Sequence, residues 1–254
     1  MNGSDNLWSL MTDSAFGIGA GSGATVASYS GNGLASWAVN LSGLPIDNVN
    51  GYPSILYGYT AYGSSGAISL GQPPQFPATL SSMCALVSDV GFALNGTITG
   101  GDNGFEWDEY LTPTSGADSG LSGSVEVEIF PYYNWNTPYS GYPGTFVQTF
   151  NEPATLNGTT TTIGWLEYVI PSAGQGAGSD ILFYPPTSGT MSNFTHGELA
   201  VNLLDFLKEG ARVSGVGNDW YVAGVNPGTA FGNQSSPDFT FNLWKFEIEQ
   251  AMVE

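Results

Sequence analysis

Residues 124–135, Ser-Val-Glu-Val-Glu-Ile-Phe-Pro-Tyr-Tyr-Asn-Trp, hold the densest chemistry in the chain. In an extended strand successive side chains point to opposite faces. Val125, Val127 and Ile129 then share one face, and Glu126, Glu128, Phe130 and Tyr132 share the other. Two carboxylates among aromatic rings, backed by a β-branched row, suit sugar chemistry: rings stack on pyranose C–H faces and carboxyl groups act as acid, base or nucleophile. An exposed acidic strand in an acidic protein is the competing account, and alternation does not separate the two. Upstream, Glu106, Asp108 and Glu109 lie beside Trp107 and Tyr110. A buried Asp108 next to a glutamate-bearing strand could hold a proton and tune its neighbour. Near the start, Asn6 and Trp8 combine an amide with an indole, a pairing that holds sugars, and Trp135 is a further candidate stacking ring.

The rest of the chain must position these groups. Its 254 residues include 36 glycines, and Gly, Ser and Pro clusters recur between short alternating or apolar runs. Ten such runs are expected as strands: 24–30, 34–41, 54–62, 86–93, 124–133, 144–150, 160–170, 180–184, 220–225 and 239–248. That many strands in one domain spanning residues 1–254 implies an all-β sandwich of two antiparallel sheets. One segment, His196 to Gly210, places Leu199, Leu203, Phe206 and Leu207 at helical spacing. It predicts a single helix packed outside the sandwich, with His196 near its cap, Lys208 in its last turn and Gly210 as its stop. In the final run, Phe239, Phe241 and Leu243 alternate in one parity and Trp244, Phe246 and Ile248 in the other, which predicts a β-bulge near Leu243-Trp244. Cys84 and Trp37, Trp165, Trp220 and Trp244 are expected in the core.

Charge excludes whole classes of partner. The chain has 22 acidic residues and three bases, Lys208, Arg212 and Lys245. Nucleic acid needs cations for its phosphates, and an anionic membrane surface needs a basic patch. No apolar run reaches the roughly 18 residues of a membrane span. The opening residues lack a signal-peptide pattern, so any export signal or anchor is expected to have been removed. A surface with few bases keeps little net charge near pH 3, where carboxylates approach their ordinary pKa of about 4, and an acidic habitat is the reading we carry forward. One histidine and one cysteine leave no cluster for a metal and make a Ser-His-Asp triad a poor fit. No cofactor and no metal are expected. Six Asn-x-Ser/Thr sequons fit an extracellular surface.

Taken in order, these motifs resemble the family-12 glycoside hydrolases, mostly endo-β-1,4-glucanases of the concanavalin-like jelly-roll type. The resemblance covers nearly the whole chain. Asn6-Leu7-Trp8 is similar to the family's N-L-W. GYPSILYG (51–58) resembles a strand of its thermophilic members. WDEYLTP (107–113) matches Y-D-x-W-L-x-P, which places Asp108 on the Asp that contacts the nucleophile. EIFPYYN (128–134) is similar to E-I-M-I-W-F-N, which begins with the nucleophile. SDILFYPP, the helix and NDWYVAGV follow the family's C-terminal third.

The resemblance implies a retaining mechanism, in which one Glu attacks the anomeric carbon and another, about 5–5.5 Å away, protonates the leaving oxygen and later activates water. Glu128 and Glu126 both remain candidates for the nucleophile. Glu128 preserves E-I and Asn134 and is preferred, whereas Glu126 fits the loop length from Asp108 and puts Phe130 at the family's Trp. The family's acid/base Glu follows in G-x-E, often G-T-E-F-G. Here Gly228-Thr229-Ala230-Phe231-Gly232 has Ala230 at that position. The simplest account is a Glu→Ala replacement made to trap substrate, leaving a monomeric, secreted chain that binds β-glucan and barely cuts it. A non-catalytic carbohydrate-binding module and a structural surface domain of an acidophile are the alternatives.

Overall fold

The computed structural model describes residues 9–11, 22–31, 34–42, 49–59, 74–96, 102–115, 123–133, 144–171, 178–186, 188–189, 191, 194–232 and 238–254. In chain order the strands are β1 (Ser9–Met11), β2 (Ser22–Gly31), β3 (Leu34–Ser42), β4 (Val49–Gly51), β5 (Ser54–Gly58), β6 (Ala78–Thr79), β7 (Met83–Gly96), β8 (Asp102–Thr112), β9 (Val125–Tyr133), β10 (Thr145–Leu156), β11 (Thr159–Pro171), β12 (Ser179–Tyr184) and β13 (His196–Asn202). Helix α1 (Leu203–Ser214) follows, then β14 (Tyr221–Val222), β15 (Gly224–Val225), β16 (Pro227–Gly232) and β17 (Asp238–Met252).

These strands form one curled sheet. Its neighbours run β2, β3, β17, β7, β13, β10, β11, β12, β9, β8 and β16, with β4 and β5 along the far side of β16. Every pair is antiparallel except β9 with β12. The curl brings a front half, β8, β9, β12 and β16, face to face with a back half, β3, β7 and β17. Trp107 Nε1 donates to Ser88 Oγ at 3.0 Å and Trp37 Nε1 to Thr229 Oγ1 at 2.8 Å, both across the two halves. Phe92 and Phe105 meet at 4.2 Å between ring centres, and Trp37 stacks on Phe241 at 4.5 Å. Burying each such side chain contributes about 1.5–3 kcal/mol, so packing between the halves sets the curl. The architecture is the jelly-roll sandwich anticipated from the turn-rich sequence.

The expected helix starts later than its apolar spacing implied. Residues 196–202 are the strand β13, paired with β7 on one side and β10 on the other. Leu199 and Val201 point into the core by strand alternation, a period that spacing at three and four residues can imitate over so short a run. His196 therefore opens a strand and does not cap the helix. Gly210 lies inside α1, which continues to Ser214 and ends at Gly215 in the left-handed conformation, φ 74°. Arg212, not Lys208, is the base of the last turn. Gly210 serves a different end: a Cβ there would lie 2.8 Å from Val127 Cγ2, so the missing side chain lets α1 press on the underside of β9. Phe206, on the same helix, packs edge-on against Trp165 and Phe183.

The bulge in β17 falls where alternation placed it. Leu243 pairs with Phe92 and Lys245 with Gly91, leaving Trp244 without a ladder partner. That extra residue turns Trp244 outward, 41% exposed, so it is not a core residue. Cys84 lies in β7 as expected but is exposed. Trp37 and Trp165 are buried, and Trp220 packs against the core from its margin.

Candidate active site

Strand register places the carboxylates. Val125, Val127 and Ile129 of β9, Phe105 and Trp107 of β8, Ile181 and Phe183 of β12, and Phe231 of β16 all face the core between the halves. The intervening residues must then face away from it, on the front surface. Asp108 lies directly opposite Glu128, and Tyr110 opposite Glu126. On the other side of β9, Asp180 pairs with Glu126 and Leu182 with Glu128. Across β8, Gly228 pairs with Glu106 and Ala230 with Gly104. Five carboxyl groups, Glu106, Asp108, Glu126, Glu128 and Asp180, thus share one face with Ala230. Glu106 and Asp180 are 5% and 6% exposed, and Glu126 and Glu128 9% each.

An irregularity beside this cluster corrects one expected position. Trp107 pairs with Ile129 and Phe105 with Tyr132, so Phe130 and Pro131 together stand opposite the single residue Glu106. Proline has no N–H to give the ladder and is at home in such a bulge. Beyond it the alternation reverses. Phe130 stays on the carboxylate face, stacked on Tyr184 at 5.0 Å. Tyr132 turns into the core, away from the place that simple alternation gave it. Tyr133 takes the front face and meets Tyr184 at 4.6 Å. Leu166, Tyr168 and Ile170 of β11 extend the same aromatic and aliphatic wall. Asn6, Trp8, Asn134 and Trp135 lie outside the described residues.

The carboxyls crowd one another. Oxygens of Glu126, Glu128 and Asp180 all lie within 4.8 Å of each other, a group that could hold a metal ion. Three oxygens are fewer than the roughly six to eight that Ca²⁺ takes. The Tyr110 hydroxyl sits 2.6 Å from Glu126 Oε1 and 3.0 Å from Asp108 Oδ2. A phenol has one proton to donate, so it serves one of these two carboxyls at a time. Burial pushes Asp108 well above the usual carboxylate range, and the charges of Glu126 and Glu128 push it further. Burial raises Glu128 well above the usual range, and the charges of Glu106 and Glu126 push it further. Burial and the charge of Asp108 raise Glu106. Asp180 is raised by burial and by the charges of Glu126 and Glu128. No basic side chain forms an ion pair with any of these groups among the described residues.

Ala230 faces the carboxylates and not the core between the halves. Its methyl group is 2% exposed and packs with Tyr52, Phe130, Leu182 and Tyr184. The open seat expected at this position is therefore a closed apolar one. Gly228 makes room for the covering ring: a Cβ there would lie 2.6 Å from Tyr52 Cζ. The Tyr52 hydroxyl donates to the Asn226 carbonyl at 2.6 Å, which fixes the ring over β16. Asp180, Tyr133 and Tyr184 are site residues that the sequence reading passed over. For Asp180 the signal was present, since Asp180, Leu182 and Tyr184 alternate with the core residues Ile181 and Phe183.

Known structures share this jelly-roll architecture. The chain has the fold of the family-12 glycoside hydrolases. It superimposes on an endoglucanase from Rhodothermus marinus with a TM-score of 0.63 at 17% identity, covering 100% of this chain and 96% of that one. A family-12 xyloglucanase from Bacillus licheniformis matches with a TM-score of 0.69 at 19% identity, over 98% of this chain and 96% of that one. Endoglucanase 3 of family 12 from Trichoderma harzianum gives 0.66 at 18%, over 98% and 93%. No protein-family model matches the chain, and no curated protein matches it in sequence.

Proposed function

We propose that the chain is a retaining endo-β-1,4-glucanase in which Glu128 is the nucleophile, Asp108 its proton-holding neighbour, and position 230 the seat of an acid/base that is here alanine. The observation that carries this reading is the register that sets Glu128 opposite Asp108 on the same sheet face as Ala230. The same register favours Glu128 over Glu126, whose cross-strand partner is Tyr110. A glucan chain would lie along this face, its pyranose rings against Phe130, Tyr133 and Tyr184. Glu128 attacks the anomeric carbon as a carboxylate; Asp108, kept protonated by burial, leaves the negative charge to it. The proposal includes a Glu→Ala replacement at 230, secretion, a monomeric state and an acidic working pH, the last supported by a carboxyl cluster that has no base to neutralise it.

Ala230→Glu tests the assignment. General acid catalysis is worth roughly 10²–10⁴-fold, and reducing-sugar release from β-1,4-glucan should rise by that order. Glu128→Gln in the same background should remove the gain. If Ala230→Glu folds and releases no more sugar than the parent, the acid/base assignment is wrong. A binding module is the second reading, favoured by the apolar packing around Ala230. It predicts tight cello-oligosaccharide binding that Glu128→Gln leaves intact and no hydrolysis in any variant.

A further inference from the structure

Glu126 and Glu128 stand two residues apart on one face of β9, and Asp180 pairs with Glu126 from the parallel strand β12. Oxygens of all three lie within 4.8 Å of one another. Asp180 is 6% exposed and Glu128 9%, and Asp180 Oδ1 and Glu128 Oε2 are buried without a hydrogen-bond partner among the described residues. A buried charge is ordinarily paired or bound to a metal, and no base forms an ion pair with this trio among the described residues. The trio is also supported from behind. A Cβ on Gly210 would lie 2.8 Å from Val127 Cγ2 and 3.8 Å from Ile181 Cγ1, so α1 backs both strands directly beneath the three carboxyls. We propose that Glu126, Glu128 and Asp180 together bind one Ca²⁺ ion on the front face of the sheet.

Size selects the ion. Three oxygens no more than 4.8 Å apart lie at most about 2.8 Å from a common centre. That is a few tenths of an ångström beyond a Ca²⁺–oxygen bond of about 2.3–2.6 Å and further beyond the about 2.0–2.1 Å of Mg²⁺. The three carboxylates offer both oxygens of each group, of which Glu126 Oε1 lies 2.6 Å from the Tyr110 hydroxyl. The others, with water, supply the roughly six to eight oxygens that Ca²⁺ takes. An ion bonded to Glu128 engages the lone pair that attack on an anomeric carbon needs, so Ca²⁺ and turnover exclude one another. The binding itself does not rest on the hydrolase reading.

Isothermal titration of CaCl2 into the chelator-treated chain tests the proposal, at pH 7 and in about 150 mM NaCl to screen the surface acids. One ion should bind with a Kd below about 1 mM, and Mg²⁺ should bind at least about tenfold more weakly. Asp180→Asn should raise the Ca²⁺ Kd by about tenfold or more, because ligand charge sets affinity. Glu247→Gln, at an exposed acid of β17, should leave it unchanged. Thermal unfolding gives a second readout: CaCl2 should raise the Tm of the parent more than that of Asp180→Asn, each measured against its own value in EDTA. No saturable binding, equal affinity in Asp180→Asn, an equal loss in Glu247→Gln, or Mg²⁺ bound as tightly as Ca²⁺ each overturns the site. If Asp180→Asn does not fold, Glu126→Gln takes its place in both assays. Where Ala230→Glu restores sugar release, CaCl2 should inhibit it and EDTA should relieve the inhibition. Sugar release indifferent to Ca²⁺ removes Glu128 from the ligands and overturns the site. Absence of Ca²⁺ binding leaves the hydrolase reading standing, and if Ala230→Glu cuts nothing, the titration alone decides the ion site.

Discussion

Acidic side chains occur in two settings in this molecule. On the helix and the back half, carboxylates meet the few cations the chain has. Arg212 Nε donates to Glu209 Oε2 at 2.8 Å, and that hydrogen bond holds Glu209 below the usual range. Lys245 Nζ lies 2.7 Å from Asp89 Oδ2 and within 4 Å of Glu198 and Glu247. On the front half five carboxyls share one face with no base among them, and Glu106, Asp108, Glu128 and Asp180 are all pushed upward. The core side of β8 holds one more, Glu109, 1% exposed, which burial raises to about 8 although its Oε1 accepts from the Asn226 N–H at 3.0 Å. Glu109 and Glu209 must therefore respond to pH with opposite sign. A raised carboxyl keeps its proton in the fold after the unfolded chain has lost it, so its contribution is complete below the unfolded value, 4.5 for Glu109, and is lost as pH rises through about 8. A lowered carboxyl such as Glu209 contributes above its unfolded value and loses that contribution on acidification.

The largest expected effect is on the front half. Thermal unfolding followed by circular dichroism should give a higher Tm at pH 4 than at pH 8. Glu109→Gln isolates one member of the set, since it keeps the accepting oxygen and removes the titration. At pH 7 the variant should gain about 3 kcal/mol, or roughly 6–12 °C for a chain of this size, and at pH 3 it should gain nothing. A Tm that rises from pH 4 to pH 8 in the parent would mean that the paired carboxylates, not the unpaired ones, govern stability.

Much of this contrast was readable in the sequence, and its exceptions have physical causes. Period-2 alternation in β9 correctly separated Glu126, Glu128 and Phe130 from Val125, Val127 and Ile129, because one face is fully buried and a strand has no other way to hide it. It failed at Tyr132 because Pro131 sits in a bulge, and a bulge reverses parity for everything after it. In β17 the same kind of irregularity was legible, since apolar residues on both sides of Trp244 recorded the change of phase. Residues 196–202 misled for a different reason: a strand running directly into a helix, with leucines in both, imitates one longer helix. The neighbours of Ala230 could not be read at all. Tyr52 lies 178 positions away in sequence and reaches it only because β5 and β8 flank β16, a fact of sheet order and not of local pattern.

A smaller effect concerns how the front face is held from behind. Gly210→Ala would improve helix propensity by up to about 1 kcal/mol, but its Cβ would lie 2.8 Å from Val127 Cγ2. A valine methyl has no flexible end to move aside, and overpacking of this kind costs typically about 1–3 kcal/mol. We expect a net loss of about 1–2 kcal/mol in urea unfolding, together with weaker cello-oligosaccharide binding, because Val127 lies between Glu126 and Glu128 on the same strand. Adding Val127→Ala should recover part of the binding if displacement of β9 is the cause. Weakened stability with unaltered binding would show that the helix supports the fold without setting the carboxylate row.

The smallest effect is expected where charges are conventionally paired. Lys245→Met removes the cation that Asp89, Glu198 and Glu247 surround, at side-chain exposures of 27% for Lys245 and 29% for Asp89. A partly exposed pair of this kind is worth about 0.2–1 kcal/mol, and methionine retains the apolar stem along β17. Measured in 1 M salt, where the screening length is about 3 Å, the difference between parent and variant should shrink towards zero, whereas the Glu109→Gln gain should persist because that carboxyl is out of reach of solvent ions. A Lys245→Met loss as large as the Glu109→Gln gain, and insensitive to salt, would place the electrostatic control of this fold in its scarce cations and not in the protons of its buried acids.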